Sequence, residues 1–153
     1  SVCADYFIEA PLHADNKQTV LHSVDILIKL IKAAVELKIK DIVIPCVDGS
    51  SLQNERLQDR FKETLNTIVP EAERYKVNLS LETDLNPSQF EKLLTKLDSP
   101  WITVNYDIGN SSALGYDYKD ELNAYGKRIS NVHIKDRELD SSSVILGSGN
   151  AGV

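Results

Sequence analysis

Glu82, Asp107 and His133 are the residues of this 153-residue chain whose types and spacing suit chemistry. Each stands in an apolar, β-rich run. Glu82 closes Val77-Asn-Leu-Ser-Leu-Glu82, Asp107 closes Trp101-Ile-Thr-Val-Asn-Tyr-Asp107, and His133 lies in Ile129-Ser-Asn-Val-His-Ile-Lys135. Glu82 and Asp107 are 25 positions apart, Asp107 and His133 are 26 apart, and each step is one β-α repeat. Equal steps place the three at similar heights on adjacent parallel strands, where two carboxylates and an imidazole can converge on a divalent cation. Left unpaired at one mouth of an apolar sheet, such charges are costly. Taken singly, a strand-terminal Asp more often caps the next helix, and a lone His is more often a satisfied core residue. Their recurrence in consecutive repeats favours a metal site.

The elements that must hold these residues follow from the apolar pattern. Val2 to Ile8 predicts a first strand. Val20, Val24, Leu27, Ile28, Ile31, Ala34 and Val35 fall at helical spacing, with Asp15 as cap and Gln18 three residues on. Asp41 to Val47 predicts a buried strand. Leu57, Phe61, Leu65 and Ile68 mark a second helix, which Pro70 interrupts. Asn86-Pro87 opens a helix containing Phe90, Leu93, Leu94 and Leu97. Gly109 to Gly115 predicts a loop, Tyr118 to Tyr125 a short helix, and Ser143 to Leu146 a sixth strand. Short apolar strands alternating with helices imply a parallel sheet covered by helices. An open doubly wound sheet and a (β/α)₈ barrel both satisfy that pattern, and both place ligands at the carboxyl ends of strands.

The chain resembles the sugar phosphate isomerase/epimerase family of xylose-isomerase-like TIM barrels. The resemblance runs through Tyr6-Phe-Ile-Glu-Ala-Pro11, Leu81-Glu-Thr-Asp84, Tyr106-Asp-Ile-Gly-Asn110, Val132-His-Ile-Lys-Asp136 and Gly147-Ser-Gly149, and covers nearly all of residues 1–153 as a single partial domain. It implies an α/β fold, a TIM (β/α)₈ barrel, of which these residues would span about strands two to seven. It implies one divalent ion (Mn, Mg, Co or Zn) held by Glu82, Asp107 and His133, with a fourth ligand, a Glu, beyond the Gly-x-Gly segment. Glu82 would be both ligand and acid/base in proton transfer next to a ketose carbonyl, making the whole protein a sugar or sugar-phosphate isomerase or epimerase. Some relatives shift hydride instead. An inosose-dehydratase-like lyase and a non-catalytic barrel are the alternatives. Arg137, Asn110 and Glu9 are the substrate-binding candidates, Lys135 and Asp136 are placed to orient His133, and His13 is a further candidate to line the pocket. The amides of Gly147-Ser-Gly149 form a weaker candidate for phosphate, a tight turn being the plainer reading.

Composition narrows the alternatives. Seventeen Lys and Arg against 23 Asp and Glu leave a net charge of −6, which weighs against a nucleic-acid partner. Endonuclease IV, of the same superfamily, needs a His where this chain has Asn110. No apolar run approaches the ~20 residues that cross a bilayer, and no signal peptide opens the chain. Cys3 and Cys46 lie in apolar runs and read as packed thiols of a reduced compartment. The expectation is a cytoplasmic protein, acting on a small sugar and capable of forming homo-oligomers. The absence of Met and a start within an apparent strand read as a segment of a longer protein.

Overall fold

Helix ends and apolar faces set the architecture in the computed structural model, which describes residues 1–153. The chain begins with β1 (Val2–Cys3), a short α1 (Tyr6–Glu9) and the long α2 (Lys17–Glu36). Asn16, not Asp15, caps α2: its side chain accepts from the amides of Gln18 and Thr19, while Asp15 pairs with Arg60. Ser23, Leu27, Ile31 and Ala34, spaced to share one face, are the buried residues of α2. The strand expected to reach Ile8 stops at Cys3, and Tyr6–Glu9 turn into helix, burying Phe7. Cys46 is buried as expected, but Cys3 is exposed.

Strand β2 (Asp41–Cys46) is followed by α3 (Glu55–Tyr75), then β3 (Asn78–Thr83) and α4 (Pro87–Leu97). Pro70 does not break α3. Phe61, Leu65, Ile68 and Ala72 stay in phase on one buried face across it, so packing on both sides outweighs the hydrogen bond that proline removes. Lys76 ends α3 in the left-handed conformation. An Asn86/Gln89 capping box with Pro87 in the first turn starts α4. Next come β4 (Ile102–Asp107), α5 (Ile108–Ala113), α6 (Tyr118–Tyr125) and β5 (Ile129–His133). Of the stretch from Gly109 to Gly115 expected as loop, residues 109–113 belong to α5, because the Asp107 side chain caps that helix through the Asn110 amide.

β1 to β5 form one parallel sheet in the order β1-β2-β3-β4-β5. The order never reverses, as a doubly wound sheet requires, and right-handed crossovers then leave every helix on one face. The helices pack in sequence, α2 on α3, α3 on α4 and α4 on α6. The sheet also curls. Ser80 on β3 and Ser130 on β5 approach to 2.9 Å between hydroxyl oxygens although β4 lies between their strands, where a flat sheet would set them about 9.5 Å apart. Its concave face is polar: Ser80, Thr103 and Ser130 bond to one another, and Ser80 also to Asp41.

The expected sixth parallel strand is absent. β6 (Asp136–Arg137) and β7 (Ser143–Val144) form only a two-residue antiparallel pair outside the main sheet, leaving Ile145 and Leu146 exposed. Asp136 explains this. Its buried carboxylate accepts from the amides of Gly147 and Gly149 through Oδ2 and of Ala151 through Oδ1, folding residues 147–151 back over β6.

Candidate metal centre

Glu82, Asp107 and His133 meet at the carboxyl end of the sheet, with ligand atoms within 4.8 Å of one another. His133 Nδ1 lies 3.2 Å from Glu82 Oε2 and 3.7 Å from Asp107 Oδ2. Ligands bound at about 2.1 Å in tetrahedral or octahedral arrangement are about 3.0–3.4 Å apart, so the cluster has the dimensions of a coordination shell. Two carboxylate oxygens and an imidazole nitrogen suit the divalent ions named above. The donor set fits the ion.

Strand register delivers these side chains, and the delivery differs from equal steps. Extending the β3–β4 ladder from Leu81↔Val104 sets Glu82 opposite Asn105, two residues below Asp107. Between β4 and β5 the ladder passes from Val104↔Ile129 to Asn105↔Asn131, leaving Ser130 as an unpaired bulge. That extra residue brings His133 opposite Asp107 and turns its ring to the concave face; an unbulged strand would present Val132 there.

The carboxylates are held rigidly. Glu82 Oε2 accepts from the Asn105 side-chain amide at 2.6 Å, and Oε1 from the Asn110 side-chain amide at 2.7 Å. Asn105 in turn accepts from Asn131 and sets its Nδ2 3.1 Å from His133 Nδ1. Burial, and next the neighbouring Asp107 charge, raise the Glu82 pKa above the usual carboxylate range; His133, Lys135 and the Asn105 bond oppose that rise. Asp107 Oδ1 accepts from the Asn110 backbone amide at 2.8 Å, and Lys135 Nζ lies 2.8 Å from Oδ2. Behind the site, buried Glu121 on α6 receives the hydroxyls of Tyr106, Tyr125 and Ser111, tying β4 and α5 to α6. Burial, and then that bond to Glu121, push the Tyr106 phenol up to about 12.

The substrate-binding candidates separate. Arg137 Nη1 donates to Asn110 Oδ1 at 2.8 Å, so Arg137, Asn110 and Glu82 form one chain of hydrogen bonds. Arg137 and Asn110 also line an adjoining cavity of about 290 Å³ with Asp48, Asp84 and Asp140. Glu9 is exposed at the end of α1 and has no hydrogen bond or ion pair to the cluster. His13 lies elsewhere, buried edge-on to Phe61 of α3. Neither Lys135 nor Asp136 bonds to His133: the first pairs with Asp107, and the second spends its carboxylate on the Gly147 and Gly149 amides, which are therefore turned to Asp136 and not to a phosphate. Asn105 is the site residue that motif reading missed. Its signal was an amide within an otherwise apolar strand.

A family model described as xylose isomerase-like TIM barrel matches residues 2–152. The L-ribulose-5-phosphate 3-epimerase UlaE of Salmonella paratyphi A is 30% identical over 142 residues, 89% of this chain and 50% of that protein. The chain thus spans about half the length of the curated relatives it matches. Among solved structures, an L-ribulose 3-epimerase superposes with TM-score 0.76 at 20% identity, covering 98% of this chain and 52% of its own. An IOLI protein with a zinc atom superposes with TM-score 0.76 at 19% identity, over 90% of this chain and 55% of its own. With a singly wound, curled parallel sheet, this chain belongs to the xylose isomerase-like TIM-barrel family.

Proposed function

We propose that the protein carrying this chain is a metal-dependent sugar or sugar-phosphate epimerase or isomerase, working in the cytoplasm by proton transfer next to a ketose carbonyl. The observation that carries the reading is the convergence of Glu82, Asp107 and His133 within 4.8 Å at the mouth of the sheet. Kinship with proteins named L-ribulose-5-phosphate 3-epimerase and L-ribulose 3-epimerase supports a ketopentose or its 5-phosphate as substrate.

Glu82, Asp107 and His133 would hold one divalent ion, which when bound polarises a carbonyl and acidifies the neighbouring C–H. Glu82 is the base. Burial raises its proton affinity, which suits a carboxylate that must take a proton from carbon. Asn105 and Asn110 fix both of its oxygens, and Asn110 and Arg137 have donors at the same mouth for sugar hydroxyls.

The test is incubation of L-ribulose and L-ribulose 5-phosphate with the protein and Mn²⁺ in D₂O, followed by NMR. The expected product is an epimer or isomer carrying deuterium at the carbon next to the carbonyl. Turnover without label contradicts proton exchange at that carbon, and a labelled, dehydrated product assigns the lyase reading instead.

A further inference from the structure

Lys135 stands closer to the metal centre than its place in the sequence suggests. It follows the end of β5, yet its side chain turns back over the first turn of α5, and its ammonium reaches Asp107 Oδ2 at 2.8 Å. That oxygen faces His133 Nδ1 at 3.7 Å, so it belongs to the metal-ligand cluster. The return path is built into the packing. A Cβ on residue 109 would overlap Lys135 Cγ and come within 2.9 Å of the Lys135 carbonyl oxygen, so the lysine stem requires Gly109. Asp107 does not need the lysine for orientation, because its other oxygen already accepts the Asn110 amide as the cap of α5.

Charge gives the lysine its purpose. Glu82 and Asp107 are buried beside each other, two carboxylates at one mouth of the sheet. Lys135 is the one Lys or Arg ion-paired with either carboxylate. Arg137 turns its guanidinium to the Ser141 carbonyl and Asn110 and pairs with neither carboxylate. A dication contacting Asp107 Oδ2 would lie within a few ångströms of the half-buried Lys135 ammonium, well inside the range over which salt screens charges.

We infer that Lys135 is the resident counter-cation of this site: it neutralises Asp107 in the metal-free protein and opposes the divalent ion, thereby setting metal affinity. The inference rests on the metal reading above. It separates a charge role from a merely orienting one by sign. A lysine that only positioned Asp107 would, on removal, weaken metal binding. A competing ammonium would, on removal, strengthen it.

The experiment is calorimetric titration of Mn²⁺ into the EDTA-stripped protein, comparing wild type with Lys135→Met, Lys135→Gln and Lys135→Arg. We expect the two neutral variants to bind Mn²⁺ at least about tenfold more tightly, the scale of neighbouring-residue effects at metal sites. Lys135→Arg should stay within about threefold of wild type, since the guanidinium keeps the charge. Thermal unfolding supplies a second readout. The neutral variants should melt lower when metal-free and gain more from saturating Mn²⁺ than wild type does. Unchanged or weakened binding in both neutral variants overturns the inference and leaves the metal site standing. A wild-type protein that takes up no Mn²⁺ overturns both.

Discussion

Glu82 concentrates the proposed chemistry at the scale of single residues, because one carboxylate would serve as ligand and as base. Glu82→Gln keeps the shape and removes both the charge and the proton acceptor. We expect turnover to fall by about 10²–10⁴-fold, the usual worth of a positioned base, in steady-state kinetics on whichever ketose the protein accepts. Near-normal turnover would remove Glu82 from the role. Asn105→Ala acts through position instead. It deletes the donor to Glu82 Oε2 and the neighbour of His133 Nδ1, and we expect Mn²⁺ affinity to drop about 10–100-fold, read by titration. The cluster of Glu82, Asp107 and His133 was legible in the sequence because strand-terminal Glu, Asp and His recur at one β-α repeat. The residues that orient them were not. Asn105 has no motif, and where Lys135 and Asp136 turn after β5 is decided by Gly109 on one side and the Gly147–Ala151 amides on the other. Glu9 ends a helix rather than a strand because Tyr6–Glu9 coil once Phe7 is buried.

Helices α2, α3, α4 and α6 and the strands of the main sheet were readable from their periods, and the departures at α1, α5 and the sixth strand have local physical causes. Equal spacing along the chain does not specify register. The Ser130 bulge supplies the one-residue shift that turns His133 inward, and it leaves no mark in composition. Two predictions belong to this scale. Gly149→Ala would put a Cβ 2.6 Å from the Arg137 carbonyl oxygen and into the Asp136 carboxylate. The strap must then shift, at about 1–3 kcal/mol, and thermal unfolding should show a lower melting temperature. The second concerns His13, buried against Phe61, with Nδ1 lacking a partner. Burial, and next the charge of Arg60, lower its pKa from 6.5 to about 4. The folded protein therefore resists protonation that the unfolded chain accepts. His13 costs nothing above pH 6.5, and stability is lost as pH falls from there towards 4, by at most about 3 kcal/mol. His13→Phe should flatten that part of the wild-type pH dependence in urea unfolding. An unchanged slope would show that His13 does not carry it.

At the scale of the molecule, one winding direction puts helices on the convex face and leaves the concave face and strand ends for polar work. Ser80, Thr103 and Ser130 form a hydroxyl layer below, with Glu82, Asn105, Asp107 and His133 above it. The polar layer and the acidic cluster are one construction. No helix is long and apolar enough to cross a membrane. The most direct test of the metal reading is anomalous diffraction from crystals of the protein grown with Mn²⁺. We expect one strong peak at the mouth of the sheet, about 2.0–2.3 Å from a Glu82 oxygen, an Asp107 oxygen and His133 Nδ1. Crystals with no peak there, or with manganese bound only to other residues, would contradict the account.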